Sequence, residues 1–82
     1  KQDKVYTVIL IIEAFDRVGV LQDILSIISQ KDINMINLNT SISLDKSKMK
    51  SKIVLQVNHL KRIQELKRIL LDHPEVIFVG RP

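Results

Sequence analysis

The sequence predicts an α+β domain whose strands and helices follow one another as βαββαβ. Three observations carry that expectation. One stretch alternates apolar and polar residues at period two, and two others repeat apolar residues at helical spacing. Breaks at Asp16–Gly19, Asp45–Lys48 and Pro74 separate these segments. The chain has 82 residues, enough for one domain with a thin core. At that size folding hides only somewhat over ~60% of the unfolded chain's surface, so further apolar burial has to come from a partner. With 45% hydrophobic and 27% charged residues the balance is that of a globular chain, which argues against disorder.

Lys4 to Phe15, with VYTVILIIEAF at its core, is apolar at both parities, as a central strand buried on two faces would be. Asp16-Arg17-Val18-Gly19 breaks it. From Val20 to Gln30, Val20, Leu21, Ile24, Leu25, Ile27 and Ile28 share one half of a helix, while Gln22, Asp23, Ser26 and Gln30 point away. A strictly alternating strand follows. Ile36, Leu38, Thr40, Ile42 and Leu44 take one face; Asn37, Asn39, Ser41 and Ser43 take the other. After the turn at Asp45–Lys48, a third strand spans about Lys50 to Asn58, with Ile53, Leu55 and Val57 inward. The second helix covers about Leu60 to Asp72, with Leu60, Ile63, Leu66, Ile69 and Leu70 on one side and Asn58 as N-cap. Pro74 stops it, and Val76 to Val79 makes the last strand.

Two βαβ units in sequence, joined by right-handed crossovers, put both helices on one face of a four-stranded antiparallel sheet of order 4-1-3-2. That is the ferredoxin-like arrangement. The apolar first strand then sits in the middle and the alternating second strand at an edge.

Cysteine is absent, which excludes disulfides and thiolate metal sites and is compatible with a reducing cytoplasm. His59 and His73, near opposite ends of the second helix, stand too far apart to share a metal without other ligands and read as surface residues. No cofactor is expected. No acid pair lies in an apolar setting and no Ser–His arrangement has a supporting acid, so the chain reads as non-catalytic. The longest apolar run, Val8 to Ile12, is far too short to span a bilayer, so no membrane partner is expected. The chain starts at Lys1, without an initiator Met or a signal-peptide pattern, and reads as a piece of a longer protein.

Asp16-Arg17-Val18-Gly19-Val20-Leu21 after a strand, then Ile33-Asn34-Met35-Ile36-Asn37 after a helix, resembles the ACT domain family over nearly the whole of residues 1–82, including Pro74-Glu75-Val76. More narrowly, IEAFDRVGVLQDILSIIS followed by INMINLNTS is similar to the C-terminal ACT domain of RelA/SpoT enzymes, GTP pyrophosphokinases that make and hydrolyse guanosine tetraphosphate in the stringent response. Two positions depart from that pattern: Asp32 and Glu75 stand where relatives often carry Gly.

The resemblance implies a regulatory domain that senses an amino acid or relays a signal to the parent's catalytic domains, and that dimerises. It assigns Asp16, Arg17, Gly19, Val20 and Leu21 to a ligand loop. Gly19 admits a ligand to the backbone at a helix N-terminus, or merely makes a tight turn. Asp16 pairs with a ligand ammonium, caps the helix, or bridges to Arg17. Asn37, Asn39, Ser41 and Ser43 form a polar row on an exposed edge, either a homodimer interface in which Asn37 or Asn39 meets the other copy's Gly19 loop, or a face left to water. Lys46, Lys48, Lys50 and Lys52 cluster around the hairpin and contact RNA phosphates, as ribosome docking in that family implies, or simply discourage strand aggregation. The net charge of +4 fits such an acidic partner without demanding one. Base stacking needs aromatics on the first and third strands; SKIVLQVN has none, and Tyr6 and Phe15 fall at opposite parity.

Overall fold

The computed structural model describes residues 4–82. The elements are β1 (Tyr6–Phe15), α1 (Val20–Ser29), β2 (Asn34–Ile42), β3 (Lys48–Val57), α2 (Lys61–Leu71) and β4 (Val76–Gly80). The sheet order is β2-β3-β1-β4 and every pairing is antiparallel, the expected ferredoxin-like topology. β1 is central. β3 pairs with it along its whole length, from Tyr6 opposite Val57 to Phe15 opposite Lys48.

Period two in the strands and period 3.6 in the helices meet in one core. Val8, Leu10, Ile12 and Ala14 of β1 and Met49, Ile53, Leu55 and Val57 of β3 pack with Val20, Ile24 and Ile28 of α1 and Ile63, Leu66 and Leu70 of α2. Each Val, Leu, Ile or Met side chain among them gains about 1.5–3 kcal/mol on leaving water, and Ala14 less. Ser51 is the buried polar residue among them, and its hydroxyl lies 2.9 Å from that of Thr40. Among the described residues the sheet's other face carries no helix. β1 keeps Ile11 nearly covered there, although Phe15 stays exposed, so burial on both faces holds only for the middle of the strand. On that face the Phe78 ring lies over Gly80, where a Cβ would come within 2.6 Å of the ring.

β2 departs from strict alternation. Its register with β3 shifts between Met35, opposite Leu55, and Asn37, opposite Val54. Ile36 is the extra residue of a bulge, so it does not share the inward face with Leu38 and Thr40 and is 52% exposed. Ile42 and Leu44 are exposed as well, which leaves Leu38 and Thr40 as the partly buried residues of the expected inward row.

Neither helix is capped by a side chain. The N-cap of α2 is Leu60, not the expected Asn58, because the chain enters the helix two residues later. At the other end of α1, which has no basic residue in its last turn, Arg62 of α2 donates from Nη1 to the Lys31 carbonyl at 3.2 Å. The helix dipole thereby meets a cation from its neighbour. Asp32 follows with φ +56°, a left-handed conformation in which glycine is unstrained. Asp32→Gly is therefore expected to leave stability unchanged or raise it by up to about 1 kcal/mol, read by urea denaturation; a clear loss would show that the Asp32 side chain makes a stabilising contact.

Candidate functional site

The turn from β1 into α1 is built around Gly19, whose φ of +87° is left-handed and closed to most side chains without strain. A Cβ placed there would meet nothing within 4 Å, so backbone angle rather than crowding selects glycine and the space beside it is open. Val20 is buried and anchors the helix start, and Leu21 packs against the core's margin. The Val20 N–H donates to the Arg17 carbonyl at 3.2 Å and the Asp23 N–H to the Gly19 carbonyl at 2.9 Å. Because Gly19 carries no capping side chain, the N–H groups of Leu21 and Gln22 are left to outside acceptors.

Asp16 neither caps the helix nor pairs with Arg17. Its backbone N–H donates to the Ser47 carbonyl at 2.9 Å, tying this turn to the β2–β3 hairpin, and its carboxylate is exposed. Arg17 instead reaches Glu75, with Nε 2.8 Å from Oε1, and its guanidinium lies 5.5 Å from the centre of the Phe15 ring. The ion pair is exposed and contributes at most about 1 kcal/mol. Glu75 also accepts the Phe15 N–H at its carbonyl, at 2.9 Å.

His73 is not a surface histidine. Its side chain is 15% exposed, and its Nδ1 accepts the Glu75 N–H at 3.1 Å. The proton therefore sits on Nε2, which donates to Asp23 Oδ2 at 2.9 Å. Arg17–Glu75 and Asp23–His73 together clamp the start of α1 to the turn that leads into β4. Sequence reading missed this clamp because its halves lie about fifty residues apart; the Pro74-Glu75 break after an amphipathic helix was the available signal.

Asn37, Asn39 and Ser41 do share a face, the open one, but they stand apart from the Gly19 turn. Asn37 lies level with Val54 and so with Ile9, whereas the turn follows Phe15, six residues further along β1. At about 3.3 Å per residue that is about 20 Å for Asn37 and about 13 Å for Asn39, level with Ile11, so one chain does not bring either to the turn. Ser41, level with Glu13, lies two residues short of Phe15 but two strands across the sheet. Ser43 lies beyond β2. Its hydroxyl donates to Asp45 Oδ1 at 2.7 Å and accepts the Lys48 N–H at 3.1 Å, which places it in the hairpin turn rather than on the edge row.

The hairpin turn takes its geometry from Asp45 in place of glycine. Asp45 Oδ1 also accepts the N–H and the hydroxyl of Ser47, at 3.0 and 2.7 Å, while Lys46 adopts φ +61°. The hydroxyls of Ser43 and Ser47 hold the Asp45 carboxyl down at about 2, below its ordinary 3.8. Since the folded value is the lower one, the contribution is complete above about pH 4 and is lost as pH falls towards 2. A carboxyl-carbon titration should place the Asp45 midpoint near 2; a midpoint near 3.8 would mean the turn is open in solution.

Three of the four lysines gather on the open face. Lys48, Lys50 and Lys52 alternate along β3, with Asn39 opposite Lys52 and Ser41 opposite Lys50 on one side, and Phe15, Glu13 and Ile11 opposite them on the other. Lys46 stays in the turn. The shared parity of these lysines was readable from their spacing. Among the described residues no group of three or more histidines, cysteines or carboxylates could hold a metal ion, and no helix is long and apolar enough to cross a membrane.

A family model described as ACT domain matches residues 2–81. The crystal structure of the ACT domain from a GTP pyrophosphokinase of Chlorobium tepidum superposes with a TM-score of 0.84 at 19% identity, covering 96% of this chain and 100% of that one. The small subunit of acetolactate synthase from Thermotoga maritima gives 0.81 at 12% identity, over 93% of this chain and 47% of that one. The C-terminal domain of the MgtC protein from Mycobacterium tuberculosis gives 0.71 at 18% identity, over 98% and 88%. At these identities the structures speak for the fold alone. No curated protein sequence matches the chain.

Proposed function

The chain belongs to the ACT domain family, and on that premise we propose that it is a non-catalytic regulatory domain that binds a small ligand, an amino acid, at the Gly19 turn. The observation that carries this reading is the uncapped start of α1 beside a left-handed Gly19 with open space around it. The amino acid's carboxylate takes the N–H groups of Leu21 and Gln22, and its ammonium takes the exposed Asp16 carboxylate.

The domain acts as a homodimer. β2 is an edge strand, and Ile36 and Ile42 along it, with Leu44 just past its end, are exposed apolar residues that a second copy would cover. Asn37 or Asn39 of one copy then meets the ligand turn of the other, supplying a polar partner that the single chain leaves about 20 Å (Asn37) or about 13 Å (Asn39) away along the strand, at about 3.3 Å per residue. Ligand binding biases the dimer's geometry, and with it catalytic domains in a cytoplasmic parent of the GTP pyrophosphokinase kind, at a coupling of about 1–3 kcal/mol. Support for that parent is the motif run IEAFDRVGVLQDILSIIS with INMINLNTS, together with the matching fold of the Chlorobium domain.

The test is an amide NMR titration of the domain with each amino acid and with guanosine nucleotides. Saturable shifts confined to Asp16–Leu21 and Asn37–Asn39 are expected with one amino-acid class. No shift at millimolar ligand would overturn the reading. A second reading rests on the row Lys48, Lys50 and Lys52, with Lys46 at the turn, as a docking face for RNA on the ribosome. It requires RNA binding that weakens with salt and with Lys50→Glu, and it fails if RNA leaves the amide shifts of β3 unmoved.

A further inference from the structure

The two neighbours of β1 do not cover it equally. β3 runs beside all of Tyr6–Phe15, but β4 pairs only with Ile11 to Ala14. Among the described residues, the stretch from Tyr6 to Leu10 therefore has a strand neighbour on one side only. The bond from the Phe15 N–H to the Glu75 carbonyl shows which backbone groups face the β4 side. Along a regular strand alternate residues point their N–H and C=O the same way, so those of Thr7 and Ile9 face that open side too. Continuing the register past Gly80 opposite Ile11 would bring Pro82 opposite Ile9, and proline has no N–H to give.

Beside this half-open edge, between α2 and the end of β4, lies a cavity of about 260 Å³. Leu10, Leu60 and Ile63 give it apolar walls, and Lys67 and Arg81 stand at its rim with no carboxylate in the lining. Among the described residues the ion pairs are Arg17–Glu75 and Asp23–His73, so both rim cations are uncompensated there. A strand laid along β1 would direct every second side chain towards the helices, the side on which Leu10 faces this cavity.

We propose that the Tyr6–Leu10 edge of β1 binds an extended acidic peptide segment of a partner protein by strand addition, with an apolar side chain in the Leu10–Leu60–Ile63 cavity and a carboxylate against Lys67 and Arg81. Main-chain hydrogen bonds supply the affinity, while the cavity and the two cations select sequence. Charge chooses the partner: a basic peptide would meet two like charges at the rim. The surface is separate from the Gly19 turn and does not depend on an amino acid binding there.

The test titrates the full 82-residue chain with a synthetic pentapeptide alternating valine or leucine with aspartate or glutamate, followed by amide exchange and NMR. Saturable binding should slow exchange at Thr7 and Ile9 by tenfold or more and shift Leu60, Ile63 and Lys67. The double variant Lys67→Glu with Arg81→Glu should bind it at least tenfold more weakly and should accept a peptide carrying lysine in place of the acids, which excludes simple misfolding. Unprotected Thr7 and Ile9 amides at saturating peptide would overturn the proposal, as would shifts confined to Lys48–Lys52. Protection of the same amides on concentrating the chain alone would assign the edge to a second copy and overturn it equally.

Discussion

Leu66→Ala is expected to remove about 2–5 kcal/mol of stability, out of a total of about 4–12 kcal/mol for a domain of this length. The cost is concentrated because α2 has few anchors. Only Ile63, Leu66 and Leu70 are buried on its eleven residues, and Leu66 and Leu70 are fully so. The helix has no side-chain N-cap and no acid in its first turn, and it is shorter than the roughly 12–15 residues an isolated helix needs in water. Docking on the sheet, rather than intrinsic propensity, holds it helical. Urea denaturation reads the total loss, and native-state amide exchange should show α2 opening before the β1–β3 ladder. Lys67→Ala, on the exposed side of the same helix, should stay within about 0.5 kcal/mol. A loss below 1 kcal/mol for Leu66→Ala would mean the neighbouring side chains collapse into the vacated space.

The second large effect is expected at the buried hydroxyl pair. Thr40→Val keeps the shape of the side chain but leaves the fully buried Ser51 hydroxyl without its partner at 2.9 Å. An unsatisfied buried group of this kind costs about 1–3 kcal/mol. Adding Ser51→Ala removes the orphan, so the double variant should recover most of that loss, a coupling that a double-mutant cycle measures directly. Simple additivity of the two substitutions would show that water or another acceptor serves Ser51. The pair also bears on register. Thr40 stands opposite Ser51 on the inward side of an edge strand whose apolar residues are mostly exposed, so a polar contact helps fix a pairing that burial specifies only weakly.

Much of the fold was legible because the signals were periodic. Ile53, Leu55 and Val57 at period two, and Ile63, Leu66 and Leu70 at helical spacing, ended where their patterns placed them. The apolar run of β1 announced a central strand, and a central strand it is. Periodicity could not reveal the bulge at Ile36, since an extra residue changes the face of one side chain without altering the pattern around it. Caps were misread for a related reason. Asn58, expected as a cap, and Asp16, for which capping was one of three alternatives, have the right chemistry, but capping depends on where the backbone turns into the helix, and it turns at Leu60 and Gly19. At the candidate site, Gly19 and Asp32 carried their left-handed conformations into the sequence, one as glycine and the other as a departure from it. For the Asp23–His73 and Arg17–Glu75 contacts the Pro74-Glu75 break marked a turn but not its partners, because each contact joins segments separated by about fifty residues or more.

The central place of β1 has a consequence for how the domain comes to be folded. It is the first strand of the domain to leave the ribosome, yet its partners β3 and β4 begin some forty and seventy residues later. The β2–β3 hairpin closes locally around Asp45, on the microsecond scale of isolated hairpins, while β1 waits for contacts of high sequence separation. During that wait the run Val8–Ile12 is exposed with no charge inside it and no proline to interrupt it, the composition that associates with itself most readily. Lys4 and Glu13, the nearest charges on either side, are the residues that keep the nascent strand in solution until β3 arrives, and their removal would be felt in yield before it was felt in stability.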